Sequence, residues 1–501
     1  MSETTSFFWH DYETFGRNPR MDRPAQFAGI RTDLDLREID APVMLHCQPA
    51  PDYLPDPGAC LLTGILPQLC LHKGLPEYRF AERILAELGR SGTIGAGYNS
   101  IRFDDEVSRH LFWRTLLPPY DREWRNGCSR WDLLDVVRCA AALRPEGIEW
   151  PHYDDGRPSF RLEDLSIANH LAHEQAHDAL SDVRATIALA QLIRSRQPRL
   201  WDFCLALRHK HRVLEEIGHH RPFIHISAMY GPDRGGMAVV WPLAPHPTNR
   251  NELLVWDLAF DPNLLTDLSV EQMRTRLFAS RDELPPDTPR LPIRSIHVNR
   301  SPIVISNLKI LNHQIIQRWQ IDMAAIQRHT DIARRITARL AGHWSQVYES
   351  RPACPCTLDV DIDLYGGFIS SADRRRLDEW RNRQNASAGS AAADSAQLSA
   401  DSTGPDRVSP EYVPTPSFED PRLEELSFRY RARQFPAILN AAEKQRWLTH
   451  CHARLHQGAG STMTLASYAD RLDVLNQSLS QDDEHSQRLL EALYDYGEQL
   501  A

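Results

Sequence analysis

Ser6-Phe7-Phe8-Trp9-His10-Asp11-Tyr12-Glu13-Thr14 decides how the first 200 residues are read. It is an apolar, aromatic run that ends on two acids separated by one residue, and it predicts a β-strand. Residues two apart on a strand point to the same face, about 7 Å from each other. Two carboxylates on one face repel, and a protein that keeps them together usually holds divalent cations between them. A lone Asp-x-Glu is also an ordinary strand end whose acids face water, and by itself the pattern does not separate the two readings.

Outward from this run, strands are expected over Ala25–Thr32, Pro42–Gln48 and Thr93–Tyr98. Helices are expected over Phe80–Leu88, Asp105–Thr115, Trp131–Leu143, Phe160–His170 and Asp178–Arg194. In the last of these, Leu180, Val183, Ile187 and Ala190 form one apolar stripe, and Pro198 marks its end. Strands first, then strands mixed with helices, indicate an α/β domain with a mixed sheet over residues 1–198. Residues 199–352 change character. Phe223–Met229, Met237–Pro242, Glu252–Leu258 and Ile293–Asn299 are short β-type runs, so a small β-rich domain followed by helices is expected. Residues 353–501 read as a helical domain through Leu423–Arg433, Ala441–Leu455 and Leu465–Gln499. Its stretch 384–418, rich in Ala, Ser, Gly, Asp and Pro, is expected to be a disordered insert.

Composition agrees with this division. The 501 residues suggest about three domains at roughly 100–200 residues each. A content of 42% hydrophobic and 25% charged residues fits a soluble globular chain. No signal peptide is read at the N-terminus, and no stretch reaches the ~18 apolar residues of a membrane span. The nine cysteines are scattered. Cys354 and Cys356 lie two apart, but no second pair follows at zinc-site spacing, so reduced thiols in a cytoplasmic protein are expected. A net charge of −10 counts against a general nucleic-acid binder, though a local basic groove remains compatible with it.

Two further segments carry acids. Gly97-Tyr98-Asn99-Ser100-Ile101-Arg102-Phe103-Asp104-Asp105 joins a strand to a helix, and Asp104 is explained equally by function or by a helix N-cap. In His177-Asp178-Ala179-Leu180-Ser181-Asp182 the first and last residues would diverge by about 140° on a continuous helix. With Asp178 as N-cap, His177 sits just outside the helix and can fold over its start, while Asp182 projects from the early turns. Alone, such a pair is commonly a surface contact.

Taken in order, the three motifs resemble the DEDD exonuclease superfamily, in its histidine-containing branch. His10-Asp11-Tyr12-Glu13-Thr14-Phe15-Gly16, Asp22-Arg23-Pro24-Ala25-Gln26-Phe27-Ala28 and Ser129-Arg130-Trp131-Asp132-Leu133-Leu134-Asp135 are similar to the bacterial exodeoxyribonuclease I family. So are Leu143-Arg144-Pro145-Glu146-Gly147-Ile148 and Phe428-Arg429-Tyr430-Arg431-Ala432-Arg433.

The resemblance implies a ribonuclease H-like exonuclease domain, an SH3-like domain and a C-terminal helical domain. It implies 3′→5′ degradation of single-stranded DNA to 5′-mononucleotides, in DNA repair and recombination. Two Mg²⁺ ions, with Mn²⁺ as a substitute, would be held by Asp11, Glu13, Asp104 and Asp182, with His177 as general base. Glu13, Arg109, Tyr120, Trp124, Arg138 and Arg161 would contact the strand, and Thr14 and Phe15 the terminal nucleotide. Tyr120 and Trp124 read equally as core aromatics beside Pro118-Pro119. A tight turn at Thr63-Gly64-Ile65 would lie near the end, and the arginines of 429–433 could line a channel or an exposed helix face. The family binds the acidic C-terminal tail of single-stranded DNA-binding protein, and Arg144 is a candidate for the rim of that site. A monomer is expected. Two other readings remain at this point: a relative acting on RNA ends, and a single-strand binding scaffold with a dead nuclease site.

Overall fold

In the computed structural model, which describes residues 5–171, 178–349, 358–397, 412–480 and 483–500, the opening run is the central strand of a five-stranded sheet. On one side of β1 (Ser6–Thr14), β2 (Pro24–Thr32) and β3 (Val43–His46) follow antiparallel. On the other, β4 (Thr93–Gly97) and β5 (Ser129–Asp132) follow parallel, giving the order β3-β2-β1-β4-β5. The helices of this part are α1 (Pro57–Thr63), α2 (Pro67–Lys73), α3 (Glu77–Leu88), α4 (Asp104–Arg114), α5 (Leu133–Leu143), α6 (Leu162–Ala168) and α7 (Ala179–Arg196). This is the expected mixed α/β sheet.

The alternation of β1 builds two cores. Phe7 and Trp9 pack with Ile30, Trp131 and the Val183–Ile187 stripe of α7. Phe8 and Tyr12 pack on the opposite face with Phe27, Phe80 and Val107. Both faces are buried, which is why the strand carries aromatic residues on each of them. Asp11 and Glu13 continue the series Phe7, Trp9 and so lie on the α7 face of the sheet. The start of α7 is pinned there. Asp178 is its N-cap, accepting from the Ser181 N–H at 3.2 Å, and the Ala179 N–H donates to Gln26 Oε1 of β2 at 3.2 Å.

Four short segments differ from the sequence reading. The helix expected from Trp131 begins only at Leu133, because Ser129–Asp132 is a fully buried strand and Asp132 turns the chain as an N-cap on the Leu134 N–H. Helices α1 and α2 occupy a region where no element was expected. The Thr63-Gly64-Ile65 turn is the C-terminal end of α1, with Gly64 at φ 70°, a left-handed position that favours glycine. The expected helical stretch 465–499 is two helices, Leu465–Ser478 and Glu484–Leu500.

The middle of the chain forms a second five-stranded, antiparallel sheet. Its strands are β6 (Phe223–Ile226), β7 (Met237–Pro245), β8 (Glu252–Asp257), β9 (Ile293–His297) and β10 (Ile303–Ile305), in the order β10-β6-β7-β8-β9. β10, only three residues long, carries too little pattern to be read from sequence. Helix Met323–Leu340 covers this sheet, and Trp241 Nε1 donates to Thr337 Oγ1 across the interface.

The expected disordered insert is corrected in part. Helix Ser371–Gln397 includes residues 384–397, whose alanine-rich composition supports a helix as well as a coil. Residues 398–411 lie outside the described residues. Residues 412–418 lack regular structure, but Val413 and Phe418 pack against the Tyr78–Trp113–Trp380 cluster. The arginine run is also corrected. Arg429 pairs with Glu425 and Asp359, Arg431 with Glu443, and Arg433 lies fully buried between Asp52 and Asp361. Arg429 and Arg431 tie the helical domain together and Arg433 fastens it to Asp52 of the first domain, rather than facing a channel or solvent.

Candidate metal centre and nucleic-acid interface

Asp11 and Glu13 from β1 and Asp182 from α7 converge so that one carboxylate oxygen from each lies within 4.8 Å of the other two. Asp104 reaches the same place from the first residue of α4. It is not an N-cap, a position held by Phe103; its Oδ1 accepts the Tyr12 backbone N–H at 3.0 Å, which ties α4 to β1 between the two strand acids. It stands beside the group of three rather than within it. His177 lies outside the described residues.

The electrostatics show strain among these acids. Burial pushes the Asp11 carboxyl well above the usual range, and Asp104, Glu13 and Asp182 add to it. Glu13 is pushed up to about 8, by burial first and then by Asp182 and Asp104. Asp104 is raised by burial and by Asp105. Among the described residues, no Lys, Arg or His forms an ion pair with Asp11 or Glu13. Three hard oxygen donors converging without such a counter-charge on two of them fit a divalent cation.

Two devices missed in the sequence hold Asp104 in place. Asp105, next to it, faces the other way. Burial alone would raise its carboxyl, but Arg122 at 2.5 Å and Arg130 at 2.8 Å outweigh that and hold it well below the usual range. Asp132 accepts from the Asn99, Ile101 and Leu134 N–H groups, so it fixes the turn leading to Asp104 as well as the start of α5. That turn includes Asn99 at φ 62°. A capping signal at Asp132 was readable; its second role, across the chain, was not. His10 faces away from the cluster. Burial and then Arg122 lower it to about 4, so it stays neutral.

Three family models match the chain: Exonuclease over residues 8–190, Exonuclease I SH3-like domain over 208–350, and Exonuclease I C-terminal domain over 407–500. Exodeoxyribonuclease I of Escherichia coli (strain K12) is 40% identical over 509 residues, covering 99% of this chain and 98% of the relative. The chain belongs to the exodeoxyribonuclease I family. A crystal structure of E. coli exonuclease I in complex with a dA16 oligonucleotide superposes with a TM-score of 0.88 at 40% identity, covering 99% of this chain and 100% of that one. A structure of an ExoI/SSB-Ct complex does so at 0.86 and 39%, with both chains fully covered. The family's exonuclease domain is metal-dependent, in keeping with the acidic cluster.

The strand-contact residues expected from this exodeoxyribonuclease I resemblance are scattered over different environments. Trp124 is 65% exposed. Tyr120 is half-buried, with the Arg109 guanidinium 5.4 Å from its ring centre. Arg109 itself is buried, and its fork is occupied by Glu123, Glu106 and the Tyr365 hydroxyl, so a phosphate would have to displace one of them. Arg138, paired with Asp135, lines a cleft of about 180 Å³ with Trp150, Phe160, Tyr230 and Trp319, between the first and second domains. Arg161 follows Phe160 and pairs with Glu163 at an exposed site. Thr14 Oγ1 donates to the Gly16 carbonyl. The Phe15 ring is buried with Ala25 and Tyr53, its N–H donates to the Arg23 carbonyl, and its carbonyl accepts from the Asp56 N–H and the Tyr53 hydroxyl. Arg144 is half-buried at the end of α5.

Proposed function

We propose that the chain degrades single-stranded DNA from its 3′ end, releasing 5′-mononucleotides, in DNA repair and recombination. The convergence of Asp11, Glu13 and Asp182, with Asp104 beside them, carries this reading. Those four carboxylates would hold two Mg²⁺ ions, with Mn²⁺ able to substitute, since oxygen donors suit both. Bound there, such cations would supply a lowered pKa for the attacking water and charge neutralisation for the phosphate and leaving oxygen.

The chain's own residues do the remainder. His177 takes the proton of the attacking water, a task that suits an imidazole near neutral pH. Glu13, Arg161 and Arg138 orient the last nucleotides, and Tyr120 and Trp124 stack on bases without reading their edges. Arg109 contacts a phosphate by exchanging Glu106 or Glu123 for it on its guanidinium fork, and Thr14 and Phe15 abut the terminal nucleotide. The three domains, bounded near 198/199 and 352/353, enclose the strand, which favours single strands over duplex.

The relatives' names and the dA16 complex support DNA over RNA ends, and the presence of all four carboxylates and His177 argues against a decayed scaffold. By analogy with the ExoI/SSB-Ct complex, the chain would bind the C-terminal tail of single-stranded DNA-binding protein, with Arg144 at the rim. It would work as a monomer in the cytoplasm, and no helix among the described residues is long and apolar enough to cross a membrane.

The test is a 5′-labelled single strand and its matching duplex, incubated with Mg²⁺ and then with EDTA, beside Asp182→Ala and His177→Ala. A ladder shortening from the 3′ end, on the single strand only and absent in EDTA and in both variants, is expected. Cleavage retained by the variants would overturn the assignment.

A further inference from the structure

Arg130 carries more contacts than its place on β5 requires. Its side chain is buried, and its guanidinium meets three partners. Nη1 donates to Asp105 Oδ2 at 2.8 Å, Nε pairs with Glu123 at 3.2 Å, and Nη2 donates to the Asn299 carbonyl at 3.3 Å. The Arg130 carbonyl accepts the Ser301 hydroxyl at 2.9 Å. Asn299 and Ser301 belong to the second domain, on the connection between β9 and β10. Ser301 is buried at φ 47°, so this connection holds a left-handed backbone against the first domain. Arg300, between them, lies 3.9 Å from Glu106.

These contacts converge on one turn. Asp104, Asp105 and Glu106 are the first three residues of α4. Asp104 stands beside the acid cluster and Asp105 faces the other way. The grip on Asp105 therefore sets how the turn is rotated, and with it where the Asp104 carboxylate lies. Arg122 supplies one side of that grip from within the first domain. Arg130 supplies the other, through a fork whose plane is rigid. The Asn299 carbonyl orients the fork, and the Ser301 hydroxyl holds the β5 backbone that carries it. The second domain thus reaches the acid cluster through Arg130 and Asp105.

We propose that Arg130 is a positioning residue for the metal site, held in register by the 299–301 segment of the second domain, so that Asp104 takes its place only when that domain is docked. The assignment rests on the reading of the carboxylates as a cation site. It gives the second domain a part in the chemistry besides enclosing the strand, because cation binding then depends on the assembled domains.

The test is Mn²⁺ binding to the whole protein without DNA, followed by the electron paramagnetic resonance of the free ion. Ser301→Gly removes the hydroxyl and keeps the backbone, since glycine suits a positive φ. Loss of one neutral hydrogen bond predicts binding about 2- to 10-fold weaker. Arg130→Gln is expected to weaken it about 10- to 100-fold, the usual range for a group that orients a ligand from behind. Coulomb's law alone predicts the opposite, because removing a positive charge near the acids favours a cation, so the sign separates positioning from charge. In an Asp105→Asn background, Ser301→Gly is expected to cost nothing further. Arg318→Gln, which loses a bond from the second domain to the Ala141 carbonyl, is expected to bind Mn²⁺ like the wild type. Wild-type affinity in Ser301→Gly, equal weakening by Arg318→Gln, tighter binding by Arg130→Gln, or an undiminished Ser301→Gly penalty beside Asp105→Asn overturns the positioning role. If circular dichroism shows that Arg130→Gln or Asp105→Asn does not fold, Ser301→Gly against Arg318→Gln decides alone. A wild type that binds no Mn²⁺, or binds it equally well after Asp182→Ala, overturns the cation site itself, which separates the two failures.

Discussion

Replacing Glu13 by glutamine is expected to stabilise the metal-free protein, and only on the alkaline side. Glu13 is raised from 4.5 to about 8 by burial, Asp182 and Asp104. Between those values the folded chain binds a proton that the unfolded chain has released, so stability falls as pH rises through the window. From pH 5 to pH 8 this linkage amounts to about 2–4 kcal/mol, allowing for the part of the side chain that water still reaches. The amide has no such charge and escapes the loss. Thermal melts in chelator should show the wild type falling by several degrees across that range relative to Glu13→Gln, with the two nearly equal at pH 5. Millimolar Mg²⁺ should then raise the wild type at pH 8 and leave Glu13→Gln almost unchanged, since a cation that binds only the folded state stabilises it in proportion to its affinity. Parallel melting curves for the two proteins across pH 5 to 8, or an equal Mg²⁺ response, would refute the view that these carboxylates are held against their own repulsion for a cation.

Asp132→Ala should cost about 2–4 kcal/mol by leaving three backbone N–H groups without their acceptor, and it should weaken Mg²⁺ binding in a calorimetric titration because the turn before Asp104 loosens. Asp52→Asn should cost about 3–5 kcal/mol in urea unfolding, since it leaves Arg433 buried with half its partners. Burial raises the Asp52 carboxyl, but Arg433, His450 and Arg454 outweigh it and hold the group well below its usual value. Its stabilisation is therefore complete above about pH 4 and lost only as pH falls through that depressed value, so the wild type should keep its helical domain docked in moderate acid where Asp52→Asn does not. Tyr365→Phe removes a hydroxyl that donates to Glu106 and accepts from Arg109, and it should shorten the average run of nucleotides removed per binding event in a trap assay.

Much of the first domain was legible because its signals are local. The β1 run announces itself by aromatic content and by the spacing of Asp11 and Glu13, and α7 by its apolar stripe and the Asp178 cap. What was not legible depends on partners distant in sequence. Ser129–Asp132 looks like the start of a helix because the residues after it are helical, and only its pairing with β4 makes it a strand. Asp104 read equally as a cap or as a functional acid, and only its bond from the Tyr12 N–H, 92 residues earlier, sets it against β1. The alanine-rich stretch after residue 384 reads as disorder on composition, but the helix begun at Ser371 carries through part of it, anchored by Leu377 and Trp380 in the core.

The charge balance explains why counting basic residues gave so little guidance about the substrate. Among the described residues eleven arginines are buried, including Arg31, Arg109, Arg122, Arg130 and Arg433, and each forms an ion pair with a carboxylate of the chain. They are structural ties: Arg122 and Arg130 clamp Asp105, and Arg433 joins Asp52 of the first domain to Asp361 beyond the second. Guanidinium suits this work because its planar fork satisfies two carboxylates at once and stays charged when buried. These eleven are spent inside the fold and say nothing about a surface that meets a polyanion, while others, such as Arg17, Arg83 and Arg184, are exposed. A net charge of −10 is thus compatible with a DNA-processing enzyme, since acids that lower it, such as Asp52, Asp105 and Asp361, are paired with buried arginines, and Asp11, Glu13 and Asp182 converge on one another.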